Sequence, residues 1–261
     1  MLLAPSPGTG DPWQGHRRRR TIAVMNDRTA LVTGANKGIG HQIARLLVAE
    51  GFTVYVGARD AGRGRRAAEE IGGGARPLVL DVTDQDSITA AAGHVDRLDV
   101  LVNNAGIGAS PAAPDVATAE EFRQVYETNV FGVVAVTNAF LPVLRRSPHP
   151  RIVNVSSGTG SLTWSVSPNP QFTPGSGAAA AYRSSKTALN ALTVLYAQTL
   201  SEGGFKVNAL APGLRATDLN ARAAAGGDPA EAAQGAVRLA LLPDDGPTGE
   251  FFSWDGTPVP W

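Results

Sequence analysis

The chain contains no cysteine, only 4 histidines and 2 methionines, and aromatic residues make up just 6% of it. Without cysteine there can be no disulfide framework, zinc ribbon or thiolate nucleophile, and the chain suits a reducing compartment, so a cytoplasmic protein is expected. His16, His41, His94 and His149 show no metal-ligand spacing and none accompanies a hydrolase nucleophile elbow, so no metal is expected. An excess of one charge is lacking too. With 23 basic against 23 acidic side chains there is no net field to drive non-specific nucleic-acid binding. No uninterrupted apolar run reaches the roughly 18 residues that mark a membrane helix. What remains is a 261-residue chain, 43% hydrophobic, long enough for one α/β domain with a large core.

Residues 1–26 are rich in Pro, Gly and Ser, lack apolar periodicity and carry the run Arg17 to Arg20. The expectation is a disordered tail. A twin-arginine export signal is disfavoured because only Thr21 to Met25 separate the arginines from polar Asn26 and Asp27. The domain is placed at 27–261.

Within that domain strand and helix patterns alternate. Strands are predicted at Ala30–Thr33, Thr53–Ala58, Arg76–Leu80, Leu98–Val102, Arg151–Val155 and Phe205–Leu210. Helices are predicted at Ile39–Glu50, Gly62–Ile71, Asp84–Val95, Ala119–Leu144 and Ala180–Ser201. Runs such as Val100-Leu101-Val102 are continuously apolar rather than alternating, as strands buried on both faces should be. The pattern predicts a single-domain, doubly wound parallel sheet with helices on both faces, a Rossmann fold, whose ligands bind beyond the carboxyl ends of the strands.

At the end of the first strand stands Thr33-Gly34-Ala35-Asn36-Lys37-Gly38-Ile39-Gly40, opening directly into a helix. Gly34 permits the tight turn, Gly38 lets backbone N–H groups approach a phosphate, and Gly40 lets the helix pack closely on the sheet. The helix N-terminus then faces the anion. The second strand ends in Ala58-Arg59 without the acidic residue that would accept from an adenosine ribose hydroxyl. Arg59 and Lys37 are candidates to pair with a 2′-phosphate, which points to NADP(H); the alternative is two solvated surface cations, with Asp60 partly neutralising Arg59. Asp81-Val82 closes the third strand, where Asp81 either accepts from the adenine amino group or serves a turn.

Tyr182 and Lys186 stand four residues apart in a predicted helix and so project from one face. An ammonium beside a phenol would depress its pKa from about 10 toward neutrality and make it usable as a general acid or base. Taken alone, such a pair is an ordinary helix-surface contact. It is accompanied by Asn154-Val155-Ser156-Ser157-Gly158, which delivers hydroxyls to the carboxyl edge of the sheet, where a Ser can bond a substrate carbonyl oxygen. Asn129 is a polar residue amid apolar neighbours in Thr128-Asn129-Val130-Phe131-Gly132, a candidate to hold a water leading toward Lys186.

In this order, T-G-x-x-x-G-x-G, the N-N-A-G of Asn103-Asn104-Ala105-Gly106, N-V-F-G, V-S-S, Y-x-x-x-K and Ala211-Pro212-Gly213 resemble the classical short-chain dehydrogenase/reductase superfamily over nearly the whole domain. The glycine turn and the Ala58-Arg59-Asp60 segment look like its carbonyl reductase branch. The resemblance implies a catalytic set of Asn129, Ser157, Tyr182 and Lys186. It also implies that Asn104, Ala105 and Gly106 flank the adenosine ribose, and that Thr217, after Pro212-Gly213, lies near the nicotinamide carboxamide. The implied reaction is NADPH-dependent reduction of a ketone or aldehyde, or oxidation of the alcohol, by hydride transfer with Tyr182 as acid or base. A dinucleotide sensor without turnover and a nucleotide-sugar epimerase or dehydratase are the alternatives; epimerases usually carry an added C-terminal domain for which little chain remains. The superfamily's usual dimers or tetramers are expected, with helix 187–200 as a flat interface, and a monomer stays open.

One departure stands out. Ser161 to Ala181 form an insertion between Ser157 and Tyr182, rich in Pro, Gly, Ser and Ala. Trp164 and Phe172 within it either line an apolar substrate pocket or pack under a loop.

Overall fold

The computed structural model describes residues 28–108, 110–169, 177–217, 219 and 226–261, so the expected tail lies outside the described residues. Among the described residues, seven parallel strands form one sheet in the order β3-β2-β1-β4-β5-β6-β7. They are β1 (Thr29–Val32), β2 (Thr53–Ala58), β3 (Ala75–Val79), β4 (Val100–Asn103), β5 (Arg151–Val155), β6 (Lys206–Ala211) and β7 (Phe251–Ser253). The order reverses between β1 and β4, which opens a crevice at their carboxyl ends.

Side-chain alternation explains the continuously apolar strands. Ala30 and Val32 of β1, Val100 and Val102 of β4 and Val153 and Val155 of β5 pack on one face, against helices α1 (Gly38–Ala49), α2 (Ala61–Ile71) and α8 (Pro229–Ala240). Leu31, Leu101 and Ile152, one residue out of phase, pack on the other face against α3 (Gln85–Gly93), α5 (Gly132–Leu144) and α7 (Ala180–Thr199). Two buried faces admit a polar residue in a strand interior only where it is hydrogen-bonded, as Asn154 is to Asn103 (2.9 Å) and Thr193 (2.9 Å).

The expected helix over Ala119–Leu144 is continuous but not uniform: α4 (Ala119–Tyr126) passes through a π-helical segment, Glu127–Phe131, into α5. A Thr118–Glu121 capping box starts it. By length and mean hydropathy this helix is apolar enough to cross a bilayer, but half of that apolar window is buried in the protein, as in a core helix. Val136, Phe140 and Leu144 are fully buried against the sheet.

Three further differences from the sequence expectations have local causes. The fourth strand starts at Val100 rather than Leu98, because Asp99 is turned inward to accept from the Thr29 amide (2.8 Å) and the Ser147 hydroxyl (2.5 Å). Helix α8 and strand β7 follow where no element was expected; Asp228 caps α8 and Pro229 occupies its first position. The insertion begins with the short helix α6 (Leu162–Val166), whose Trp164 is buried with Ala209, Ala211, Phe251 and Val259. Trp164 is therefore a packing residue of the C-terminal sheet edge, while Phe172 lies outside the described residues.

Candidate active site

A cavity of about 650 Å³ occupies the crevice above β1 and β4. Its floor is the glycine turn. Gly34 (φ 62°) and Gly38 (φ 58°) are both left-handed, a conformation that penalises any side chain. A Cβ on Gly34 would stand 3.0 Å from Ala105 Cα, and one on Gly40 would collide with Asn104, so the helix and the β4 loop meet only because both positions lack side chains. Lys37 at the N-cap provides no side-chain cap for α1, and the first helical bond is His41 N to Lys37 O. The amides of Gly38, Ile39 and Gly40, all lining the cavity, thus have no intrahelical acceptor and suit a phosphate.

Asn104 ties this turn to the sheet. Its Nδ2 donates to the carbonyls of Thr33 (2.9 Å) and Gly34 (3.3 Å), and the Thr33 hydroxyl accepts from the amides of Asn104 and Ala105. Farther along, Lys37, Arg59, Asp81 and Val82 line the cavity together, and so does Arg63, which the sequence reading did not single out. Asp60 also lines it, but its carboxylate caps α2 by accepting from the Arg63 amide at 2.7 Å. That bond, with the charges of Arg63 and Arg66, holds its pKa below the usual carboxylate value. Asp81 Oδ1 serves a turn, accepting from the amide (3.0 Å) and hydroxyl (2.8 Å) of Thr83.

At the other end of the cavity lie Tyr182 and Lys186, on successive turns of α7. The extended Ser157 follows β5, and the 3-10 turn Gly158–Gly160 then packs on α7. A Cβ on Gly160 would stand 2.8 Å from the Lys186 carbonyl carbon, so only glycine allows this approach. Thr187 fastens the contact by donating to Gly160 O (2.9 Å). The two serines are thereby distinguished. Ser156 lines the cavity but its hydroxyl is buried and donates to Asn190 Oδ1 (2.5 Å), a structural bond, whereas the partly buried Ser157 hydroxyl pairs with the Thr159 hydroxyl (2.8 Å), accepts from the Thr159 amide (3.2 Å) and stands near the Tyr182 phenol.

Lys186 Nζ sits 5.7 Å from the centre of the Tyr182 ring and donates to Val155 O at 2.9 Å. Burial lowers the lysine pKa to about 8, which still leaves an ammonium at neutral pH. The phenol departs from expectation: burial raises its pKa, and the nearby Ser157 hydroxyl pulls it only partly back. Desolvation of the phenolate is the dominant effect.

Asn129 is fully buried within the π-helical segment. Its Oδ1 accepts from the Ile107 amide (2.9 Å), and its Nδ2 donates to Ile107 O (3.0 Å) and Ser185 Oγ (3.1 Å). Both donors are therefore committed to clamping the loop after β4, and only Oδ1 has a further lone pair. A Cβ placed on Gly106 would lie 3.3 Å from Asn129 Oδ1 and 3.5 Å from Lys186 Nζ, so both atoms face one small space.

Pro212 and Thr217 also line the cavity; Thr217 Cγ2 would be 3.4 Å from a Cβ on Gly38 and so closes over the glycine turn. Gly213 does not line it. It makes a left-handed turn (φ 70°) against Trp254. Ile107, Ala216 and Leu219 also line the cavity, again unforeseen, since no local pattern marks loop residues that meet only in the fold.

Comparison with known proteins agrees with this geometry. The family model described as short chain dehydrogenase matches residues 28–227. Salutaridine reductase of Papaver bracteatum is 34% identical over 88% of this chain and 95% of its own length. (+)-Neomenthol dehydrogenase of Arabidopsis thaliana is 36% identical over 89% and 98%. The crystal structure of a 3-ketoacyl-(acyl-carrier-protein) reductase from Brucella melitensis complexed with NADH superposes with a TM-score of 0.77 at 25% identity, covering 88% of this chain and 97% of that one. The sheet order and the glycine turn, Tyr182 and Lys186 on one cavity, together with these likenesses, establish that the chain is an oxidoreductase of the classical short-chain dehydrogenase/reductase family, whose members use a nicotinamide dinucleotide.

Proposed function

We propose that the chain is a carbonyl reductase-type enzyme that uses NADP(H) to reduce a ketone or aldehyde or to oxidise the corresponding alcohol, with residues 27–261 as its catalytic domain. The observation that carries this reading is that Tyr182 and Lys186 line one end of the cavity whose floor is the glycine turn, with the Ser157 hydroxyl near the Tyr182 phenol. The reductase and dehydrogenase names of the relatives support the reaction class.

A nicotinamide dinucleotide, when bound, supplies or accepts the hydride. Gly38, Ile39 and Gly40 would hold its phosphates, and Asn104, Ala105 and Gly106 the adenosine ribose. Lys186, Pro212 and Thr217 would hold the nicotinamide half. The chain's own groups manage the proton. Tyr182 gives its phenolic proton to the substrate carbonyl oxygen, to which the Ser157 hydroxyl donates a hydrogen bond as negative charge develops. The Lys186 ammonium favours the phenolate left behind. Water in the space shared by Asn129 Oδ1 and Lys186 Nζ would replace the proton.

Arg59, Arg63 and Lys37 gather positive charge at the adenosine corner, where Asp60 is held by the N-terminus of α2. This favours a 2′-phosphate and hence NADPH, although the Brucella relative was crystallised with NADH. The protein is proposed to be cytoplasmic, to act on small molecules and to form a homodimer or homotetramer. The test is dinucleotide oxidation across a panel of ketones and aldehydes with NADPH and with NADH. Turnover with NADPH preferred supports the reading; binding without turnover of any compound would favour a sensor, and an NADH preference would refute the phosphate assignment.

A further inference from the structure

Between the cavity-lining Pro212 and Thr217 stands Arg215, whose side chain turns away from the cavity and is only 6% exposed. Its Nε donates to Pro212 O at 2.6 Å, and its Nη1 pairs with Glu231 in the first turn of α8. The guanidinium lies 4.3 Å from the centre of the Trp254 ring, beyond the end of β7, and Trp254 also packs against Gly213. The backbone is fixed as well: Ala216 N donates to Gly227 O (2.9 Å) and Gly227 N to Leu214 O (3.0 Å), so the two ends of the 214–227 segment are joined at this residue. A Cβ on Gly226 would stand 2.6 Å from the Arg215 carbonyl carbon, which shows how tightly that junction closes.

We propose that Arg215 is a positioning residue: through Pro212 O on one side and the Gly227 junction on the other, it holds Pro212 and Thr217 against the glycine turn at the nicotinamide end of the cavity. The inference rests on the proposed dinucleotide-dependent reaction. Its physical basis is that one planar fork engages three separate elements, the turn after β6, α8 and the residue after β7, where a flexible ammonium would engage one. Without the fork, Pro212 is free to relax into or out of the cavity, and displacement of a cofactor wall by about 1 Å can cost on the order of a hundredfold in rate.

The test uses purified full-length protein carrying Arg215→Ala, Arg215→Lys or Glu231→Gln, with Arg151→Ala as a control. Arg151 is a similarly buried arginine, bonded to Leu242 O and Asp244 at the amino end of β5, the end opposite the cavity-lining Val155. NADPH and NADH affinities are read by fluorescence titration without substrate, kcat and KM by turnover, and folding by thermal denaturation. Arg215→Ala is expected to weaken dinucleotide binding and lower kcat together, by roughly 10- to 100-fold in kcat/KM. Arg215→Lys should recover part of the loss, Glu231→Gln should show a smaller loss, and Arg151→Ala should lose thermal stability with dinucleotide affinity unchanged. If Arg215→Ala does not fold, Arg215→Lys and Glu231→Gln carry the test. Wild-type affinity and kcat in the folded Arg215 and Glu231 variants, or losses no greater than those of Arg151→Ala at matched stability, overturn the proposal. Absence of turnover in the wild type itself would instead count against the proposed reaction and leave the binding titration to judge Arg215.

Discussion

Replacing Lys186 with Met should make the protein more stable and inactive at once. The ammonium is 4% exposed and its pKa is lowered from 10.5 to about 8 by burial. That shift corresponds to about 3 kcal/mol of destabilisation of the charged folded state. Because the folded pKa lies below the unfolded one, the unfolded chain binds more protons between about pH 8 and 10.5, and wild-type stability should rise with pH through that window. Below pH 8 the full penalty is present; near pH 10.5 most of it has gone. Met removes the charge and the pH dependence together, but leaves Val155 O without the donor it has at 2.9 Å, a loss of roughly 1–2 kcal/mol. The expected outcome in urea denaturation without cofactor is a variant about 1–2 kcal/mol more stable than wild type near pH 7 and less stable near pH 10. The change in ΔΔG across the window, about 3 kcal/mol, is the cleaner quantity, because the lost hydrogen bond cancels from it. A pH-independent difference between the two proteins would show that Lys186 is not a desolvated ammonium.

Arg59→Ala should raise the KM for NADPH by about 10- to 100-fold, the worth of one charge-assisted phosphate contact, and change that for NADH little; steady-state kinetics with both dinucleotides checks this. Gly106→Ala should fill the space between Asn129 Oδ1 and Lys186 Nζ without a severe clash, so a folded variant with slowed turnover at saturating dinucleotide is expected from rapid kinetics. Trp164→Ala should cost about 3–5 kcal/mol in denaturant unfolding by emptying the cluster with Phe251 and Val259, with unchanged dinucleotide affinity in the folded fraction.

The parts of the molecule that were legible in the sequence are those set by local rules. β2 and β5 have the expected boundaries because residues buried on both faces leave an apolar run bounded by turns. Gly34, Gly38 and Gly40 were legible because each meets a constraint that any side chain violates, and Tyr182 and Lys186 because a helix repeats its face every turn. Helix α8 escaped notice because its buried face consists largely of Ala232, Ala233, Ala236 and Ala240, a weak apolar signal, although Asp228-Pro229 is a legible start. β7 has three residues, too few for a period. Arg63 reaches the adenosine corner only because Asp60 starts α2 just before it, and Arg215 acquires its role from Glu231 and Trp254, which no spacing rule connects to it. The rise of the Tyr182 pKa was also illegible, since it follows from burial rather than from the neighbouring lysine.

The central claim is that the Tyr182 hydroxyl moves the proton while the rest of the cavity binds the dinucleotide. Single-turnover measurement of Tyr182→Phe with bound NADPH and a carbonyl compound accepted by the wild type tests it most directly. The account predicts dinucleotide affinity close to wild type and hydride transfer slowed by about 10²-fold or more, the usual worth of a positioned general acid. Transfer at near the wild-type rate from the fully loaded variant would contradict it.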